Sequence, residues 1–250
     1  MARTLAAIES EHGVRILYAC ESGSRAWGFA SADSDYDVRF LYVHPLDGYV
    51  SVDTPREVIE RPITDDLDIN GWELRKALRL MRKSNPVLLE WLHAPITYRC
   101  DDGFLSDMRD LARTYYRPAA CFHHYLHMAQ GNRRDYLRGP IVWLKKYLYV
   151  LRPLLACRWI EMGRGIPPVA FDHLVEATVD EAPLQHAIAE LLAAKRGGDE
   201  LARGPAIPVI DAFIDREFQR LEAVAHGLPS PQLPDDEGLN RLLRRFVYRT

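Results

Sequence analysis

The sequence predicts an α+β protein, with strands and helices mixed in the N-terminal part and a helical C-terminal part. Three observations carry this. Two runs rich in β-branched and aromatic residues, VRILYAC at 14–20 and YDVRFLYV at 36–43, have the composition of strands. Between residues 74 and 92 apolar residues recur at helical spacing. After about residue 104 strand signals vanish and helical patterns run to the end. The expected division is therefore 1–104 and 105–250, and 250 residues suffice for one large or two ordinary domains.

In chain order, residues 3–12 suit a short helix closed by Gly13. VRILYAC alternates, with Val14, Ile16 and Tyr18 on one face and Arg15 and Leu17 on the other, as in a half-buried strand. ESGSRAWGF interrupts it with two small residues and restarts as a helical turn. ASADSD reads as a polar loop, YDVRFLYV as the second strand, and Pro45 as its end. EVIE at 57–60 and DDLDIN at 65–70 read as short strands. In the latter Leu67 and Ile69 face one way, and Asp66, Asp68 and Asn70 the other. Leu74, Ala77, Leu78 and Met81 mark a helix by their i, i+3, i+4, i+7 spacing. SNPVLLEWL starts another, with Asn85 as cap and Pro86 at the first helical position. PITYR at 95–99 suits a last strand. Segments 105–138 and 140–162 read as helices, the second with Trp143, Lys146, Tyr147 and Val150 on one stripe. GRGIPP at 163–168 is a loop and HGLPSPQLPDDEG at 226–238 a Pro-rich connector. Leu239, Leu242, Leu243, Phe246 and Val247 form the stripe of a final helix.

Composition narrows the class. Hydrophobic residues at 48% and charged residues at 27% are those of a soluble globular protein. No apolar run approaches the length of a transmembrane helix. The acidic, amphipathic start MARTLAAIESEHG lacks the features of a signal peptide, so a cytoplasmic protein is expected. Cys20, Cys100, Cys121 and Cys157 contain no CxxC spacing, which disfavours a zinc knuckle and suits free, mostly buried thiols. Net charge is −3, yet residues 133–164 hold eight Arg or Lys against Asp135 and Glu161. That local excess suits an anionic ligand.

The chemistry concentrates in ESGSRAWGFASADSDYDVRFLYV, residues 21–43. Asp35 and Asp37 are two apart, so on a strand both carboxylates share a face, about 7 Å apart along the backbone. Without a cation such neighbours repel and raise each other's pKa. Keeping both ionised calls for a divalent metal, and an all-oxygen set favours Mg²⁺ or Mn²⁺ over zinc. A carboxylate on a neighbouring strand would complete the set. Asp68, charged between Leu67 and Ile69, is the first candidate and Asp66 the second. Gly23 and Ser24 open the helical turn after the first strand. There free N–H groups face outward, Gly allows close approach, Ser adds a donor, and Arg25 adds charge, as a phosphate cradle requires. A phosphate cradle beside a two-metal carboxylate site suits phosphoryl or nucleotidyl transfer.

The order GS, ten residues, D-x-D and a later strand Asp resembles the DNA polymerase beta-type nucleotidyltransferase superfamily. More closely, residues 21–43, DINGWELRKALRLMRKSNPVLLEWL and KKYLYVLRPLLACRWI resemble the RNA repair pathway DNA polymerase beta family. The resemblance covers most of residues 15–165 and little of 166–250. It implies a mixed sheet with flanking helices, followed by a helical domain. It also implies Gly23 and Ser24 at the nucleotide phosphates, Asp35 and Asp37 on two Mg²⁺ ions, and Asp68 sharing one ion and helping to deprotonate the acceptor hydroxyl. In related enzymes a Lys or Arg of the helical part reaches the triphosphate. Lys145, Lys146 and Arg152 are the candidates, and Lys146, on the stripe of Trp143 and Val150, is expected to point inward. The implied activity moves a nucleoside monophosphate from an NTP to a hydroxyl, with RNA among the acceptors.

Other constellations are weaker. His123 and His127 lie four apart on one expected helix face, but no HExxH glutamate accompanies them. There is no GxSxG elbow, no Walker A pattern and no GxGxxG after the first strand. Tyr115, Tyr116, Tyr125, Tyr136, Tyr147 and Tyr149 lie near the basic residues, where rings can stack on bases or simply pack between helices. Two rival functions stand beside transfer. One is a non-catalytic nucleotide-binding regulator or toxin–antitoxin partner. The other is a metal-dependent phosphohydrolase. Three carboxylates kept together argue against the first, since unpaired charges are costly to retain.

Overall fold

A computed structural model describes residues 1–64, 66–101, 103–197, 203–228 and 231–249. The chain divides into two compact units: residues 1–26, 35–116 and 232–250 form one, and residues 27–34 and 117–231 the other. The expected single cut at 104 is thus replaced by an interleaved division.

The first unit is built on a five-stranded sheet. Its strands are β1 (Arg15–Glu21), β2 (Tyr36–Val43), β3 (Val58–Glu60), β4 (Leu67–Glu73) and β5 (Thr97–Cys100), in the order β3-β4-β2-β1-β5. β2 and β4 run parallel and every other neighbouring pair antiparallel, so the sheet is mixed, as expected. The strand expected over 65–70 extends to Glu73, and residue 65 lies outside the described residues.

Helix α1 (Ala2–His12) ends at Gly13, whose left-handed φ of 60° supplies the stop. It contributes Leu5 and Ile8 to a core with Val14, Ile16, Ala19, Val38, Phe40, Tyr42, Ile59 and Ile69. Here one expectation fails. β1 is buried on both faces, and its pairing with β2 shifts register between Ile16 and Tyr18. An inserted residue at a bulge turns later side chains over. Ala19 therefore follows Ile16 into the α1 core, while the Tyr18 hydroxyl donates to the Trp91 carbonyl at 2.6 Å.

A short helix, α2 (Gly23–Trp27), follows β1, and a second, α3 (Leu46–Tyr49), follows Pro45. Helices α4 (Leu74–Arg82), α5 (Pro86–Leu92) and α6 (Phe104–Tyr115) complete the middle of the unit. Glu73 caps α4 through the N–H groups of Arg75 and Lys76, and the Asn85 side chain caps α5. The four stripe residues of α4 are all buried. Residues 105–138, expected as one helix, form α6 and α7 (Pro118–Tyr136). The break at Arg117 fits Pro118, which suits a first helical turn and disfavours helix in the residue before it.

The second unit packs α7, α8 (Lys145–Glu161), α9 (Phe171–Thr178), α10 (Ala182–Arg196) and α11 (Pro208–Val224). It also holds a two-stranded antiparallel ribbon of β6 (Ile141–Trp143) and β7 (Arg203–Pro205). The sequence expectation had no strand here. Three-residue strands are too short for a period-2 pattern to register, and the ribbon takes the first residues of the helix expected over 140–162. Glu217, 1% exposed, is satisfied by Arg158 at 3.2 Å and Arg220 at 3.0 Å. Beyond a connector whose residues 229 and 230 lie outside the described ones, α12 (Glu237–Val247) returns to the first unit. There Phe246 meets the Phe104 ring edge-on at 4.9 Å. Cys20, Cys121 and Cys157 are buried and Cys100 is exposed, and none of the four forms a disulfide. Among the described residues, no helix is long and apolar enough to cross a membrane.

Candidate active site

Register places the acidic pair. Val38, Phe40 and Tyr42 of β2 enter the α1 core, so Asp37 and Arg39 project from the other face. β4 repeats the pattern: Leu67 and Ile69 face the core and Asp68 does not. The parallel register then sets Asp37 directly beside Asp68. Asp66 precedes β4, and its carbonyl accepts the Tyr36 N–H at 2.6 Å. Asp35 is exposed just ahead of β2.

Two side chains that the sequence reading passed over contact Asp37. Arg39 Nη2 donates to Asp37 Oδ1 at 3.0 Å and to Asp68 Oδ2 at 2.8 Å, and its Nη1 reaches the Asp68 carbonyl at 3.0 Å. Glu21, 1% exposed at the end of β1, accepts the Asp37 N–H at 2.8 Å and the Tyr98 hydroxyl. Alternation alone could have found Arg39, which stands two residues after Asp37 on the same strand. Burial pushes the Asp37 carboxyl above its ordinary range. Arg39 opposes this, while Asp68, Glu21 and Asp35 add to it.

The Gly-Ser turn is built against the same carboxylate. Gly23 has φ of +57°, and a Cβ placed on it would stand 1.9 Å from Asp37 Oδ2. The glycine is therefore required twice, by its conformation and by the approach of Asp37. The Ser22 N–H is bound to the Asp37 carbonyl at 2.8 Å, locking the turn to β2. Ser24 is buried in α2. At five residues α2 carries little macrodipole, so it offers phosphate mainly the N–H groups of its first turn. Arg25 lies along the DxD segment, with Nε on the Asp35 carbonyl at 3.2 Å and its guanidinium 4.0 Å from the Tyr36 ring centre.

Lys145, Lys146 and Arg152 belong to the second unit. Lys145 is exposed at the start of α8. Lys146 does not share a helical stripe with Trp143, which lies in β6. Its ammonium sits 4.2 Å from the Tyr136 ring centre and 4.6 Å from that of Tyr149, and burial, then Lys145, lowers its pKa. Arg152 is 2% exposed, donates to the Val169 carbonyl at 3.3 Å and lies over Trp27, holding the unit together. His123 and His127 are exposed on α7.

Among the described residues no group of three His, Cys, Asp or Glu side chains is gathered to hold a metal ion as it stands. The donor chemistry nevertheless fits one. Asp37 and Asp68 already grip a cationic group between them, the Arg39 guanidinium, and offer only oxygen.

Residues 1–245 match the family described as "RNA repair pathway DNA polymerase beta family". The Bacillus subtilis (strain 168) protein named "Uncharacterized protein YcgL" is 49% identical over 240 residues, which cover 96% of this chain and 92% of that one. A crystal structure of a nucleotidyltransferase-like protein from Exiguobacterium sibiricum 255-15 aligns over 99% of this chain and 80% of its own. It does so at 15% identity with a TM-score of 0.33, too low to argue from.

Proposed function

Since the chain belongs to the RNA repair pathway DNA polymerase beta family, we propose that it transfers a nucleoside monophosphate from an NTP to the hydroxyl end of an RNA. The single observation that carries this is the construction of Gly23 against Asp37, with Asp68 beside it. A backbone turn in close contact with the Asp37 carboxylate and two oxygen-donor side chains are thereby held in one place.

In this reading Asp35, Asp37 and Asp68 hold Mg²⁺ or Mn²⁺. When bound, the metal lowers the pKa of the acceptor hydroxyl and neutralises the leaving pyrophosphate. Gly23 and Ser24 bring N–H groups and a hydroxyl to the nucleotide phosphates. Asp68 takes the proton of the acceptor hydroxyl as its oxygen attacks the α-phosphorus. The bond from that phosphorus to the bridging oxygen breaks, and pyrophosphate leaves with the electron pair. Glu21 holds the Asp37 backbone, and Arg39 bridges Asp37 and Asp68 and reduces their repulsion in the metal-free chain.

One observation favours a second reading, a nucleotide-binding module without transfer: Arg39 already bridges the pair that a metal would occupy. Full-length protein incubated with Mg²⁺, cellular RNA and each NTP, labelled at either the α- or the γ-phosphate, separates the possibilities. Transfer puts α-label on RNA and γ-label in pyrophosphate. Free labelled phosphate or nucleoside monophosphate would instead mark a hydrolase. NTP binding without either product would leave the regulatory module.

A further inference from the structure

We propose that the β6–β7 ribbon, with the 137–140 turn before it and the first turn of α8 after it, is a binding surface for single-stranded RNA. The choice of RNA rests on the function proposed above, whereas the surface is an independent observation within the second unit.

Two aromatic rings stand unusually open here. Tyr136 is 37% exposed and Trp143 40% exposed, with Ile141 between them at 46%. Tyr147, only a few residues on, shows what a packed ring looks like in the same region: it is fully buried and its hydroxyl donates to Asp211 at 3.0 Å. Cations are interleaved with the open rings. Arg203 pairs with Trp143 across the ribbon, its guanidinium 5.9 Å from the ring centre. The Lys146 ammonium lies 4.2 Å from the Tyr136 ring centre. From residue 138 to residue 149 the chain carries Arg138, Lys145 and Lys146 and no acid. The nearest acid before that stretch, Asp135, is engaged by Arg134 at 2.8 Å. On the α7 side the surface runs into a groove lined by Gln130, Arg133, Arg134, Arg138, Phe218 and Glu222.

Interleaved rings and cations match a strand of unstacked bases joined by phosphates. A duplex would meet the cations but hide its base faces from Tyr136 and Trp143. An anionic membrane would be met by an amphipathic helix, not by a short ribbon with isolated rings.

The test is fluorescence anisotropy of an end-labelled, mixed-sequence RNA of about a dozen nucleotides with the full chain, without NTP or divalent metal, over a salt series. Trp143→Ala and Tyr136→Ala should each weaken binding about 5- to 100-fold, the scale of a lost base–aromatic stack. Trp143→Phe should retain most of the affinity, which separates stacking from misfolding, and melting temperatures should match the wild type. Arg138→Ala and Lys145→Ala should each lower the log–log salt slope by about 0.7. Unchanged binding by both ring variants would overturn the proposal. So would equal affinity for duplex RNA of the same length or for phosphatidylglycerol vesicles. RNA binding by a chain that transfers no nucleotide would sink only the transferase reading. Transfer to RNA ends together with unchanged RNA binding by both ring variants would sink only this one.

Discussion

Gly23 concentrates two demands in one residue, a positive φ and an open path to Asp37 Oδ2. Replacing it with Ala should cost about 1–2 kcal/mol of stability through the left-handed backbone. The larger effect should fall on chemistry, because the added Cβ must drive the Asp37 carboxylate off its position. Nucleotidyl transfer by Gly23→Ala should drop at least about a hundredfold, the scale of losing one preorganised electrostatic group, while thermal melting shows only a modest shift. Arg39 makes the complementary case. Arg39→Met leaves Asp37 and Asp68 facing each other without a counter-charge, so the metal-free protein should lose about 1–2 kcal/mol, between an exposed and a buried ion pair. The same variant should gain more melting temperature from added Mg²⁺ than the wild type, since no guanidinium competes for the pair. Calorimetric scans with Mg²⁺ and with chelator measure both effects.

The elements that place these residues were legible wherever a periodic pattern was long enough. YDVRFLYV and DDLDIN declared β2 and β4, and with them the sides on which Asp37 and Asp68 stand. Pattern could not supply the parallel pairing that puts one beside the other, because register between strands some thirty residues apart is a tertiary fact. The bulge in β1 was equally hidden: a single shifted residue between Ile16 and Tyr18 leaves the alternation looking intact while moving Tyr18 to the other face. Arg39 was overlooked although its spacing announced it, and the β6–β7 ribbon was too short to read. Gly71 shows how tightly β2 and β4 are matched. It lies opposite Phe40, and a Cβ there would come within 2.2 Å of that ring. Gly71→Val should therefore destabilise the first unit by about 1–3 kcal/mol or more by overpacking. It should also disturb the Asp37–Asp68 register, which urea titration together with Mg²⁺ binding would detect.

At the scale of the whole molecule, a mixed five-stranded sheet is followed along the chain by a largely helical region. The chain's last segment, 232–250, returns to the first unit. There Phe246 packs on Phe104, Arg82 pairs with Asp236, and Arg15 donates to the Phe246 carbonyl at 2.8 Å. Removing residues 232–250 should cost several kcal/mol, a buried Phe alone accounting for about 3–5, against a total stability of about 5–15 kcal/mol. The truncated chain should lose the cooperative melting of the first unit, and a fragment ending at residue 104 should not fold alone. Circular dichroism melts of both would check this.

The central claim is that Asp37, held against Gly23 and beside Asp68, is the centre of nucleotidyl transfer. The most direct measurement is the rate at which wild type and Asp37→Asn move α-labelled nucleotide to RNA with saturating Mg²⁺ and NTP, both proteins first shown to be equally folded. The account predicts transfer by the wild type and a loss of at least about a hundredfold in the variant. Transfer by Asp37→Asn at the wild-type rate would contradict it.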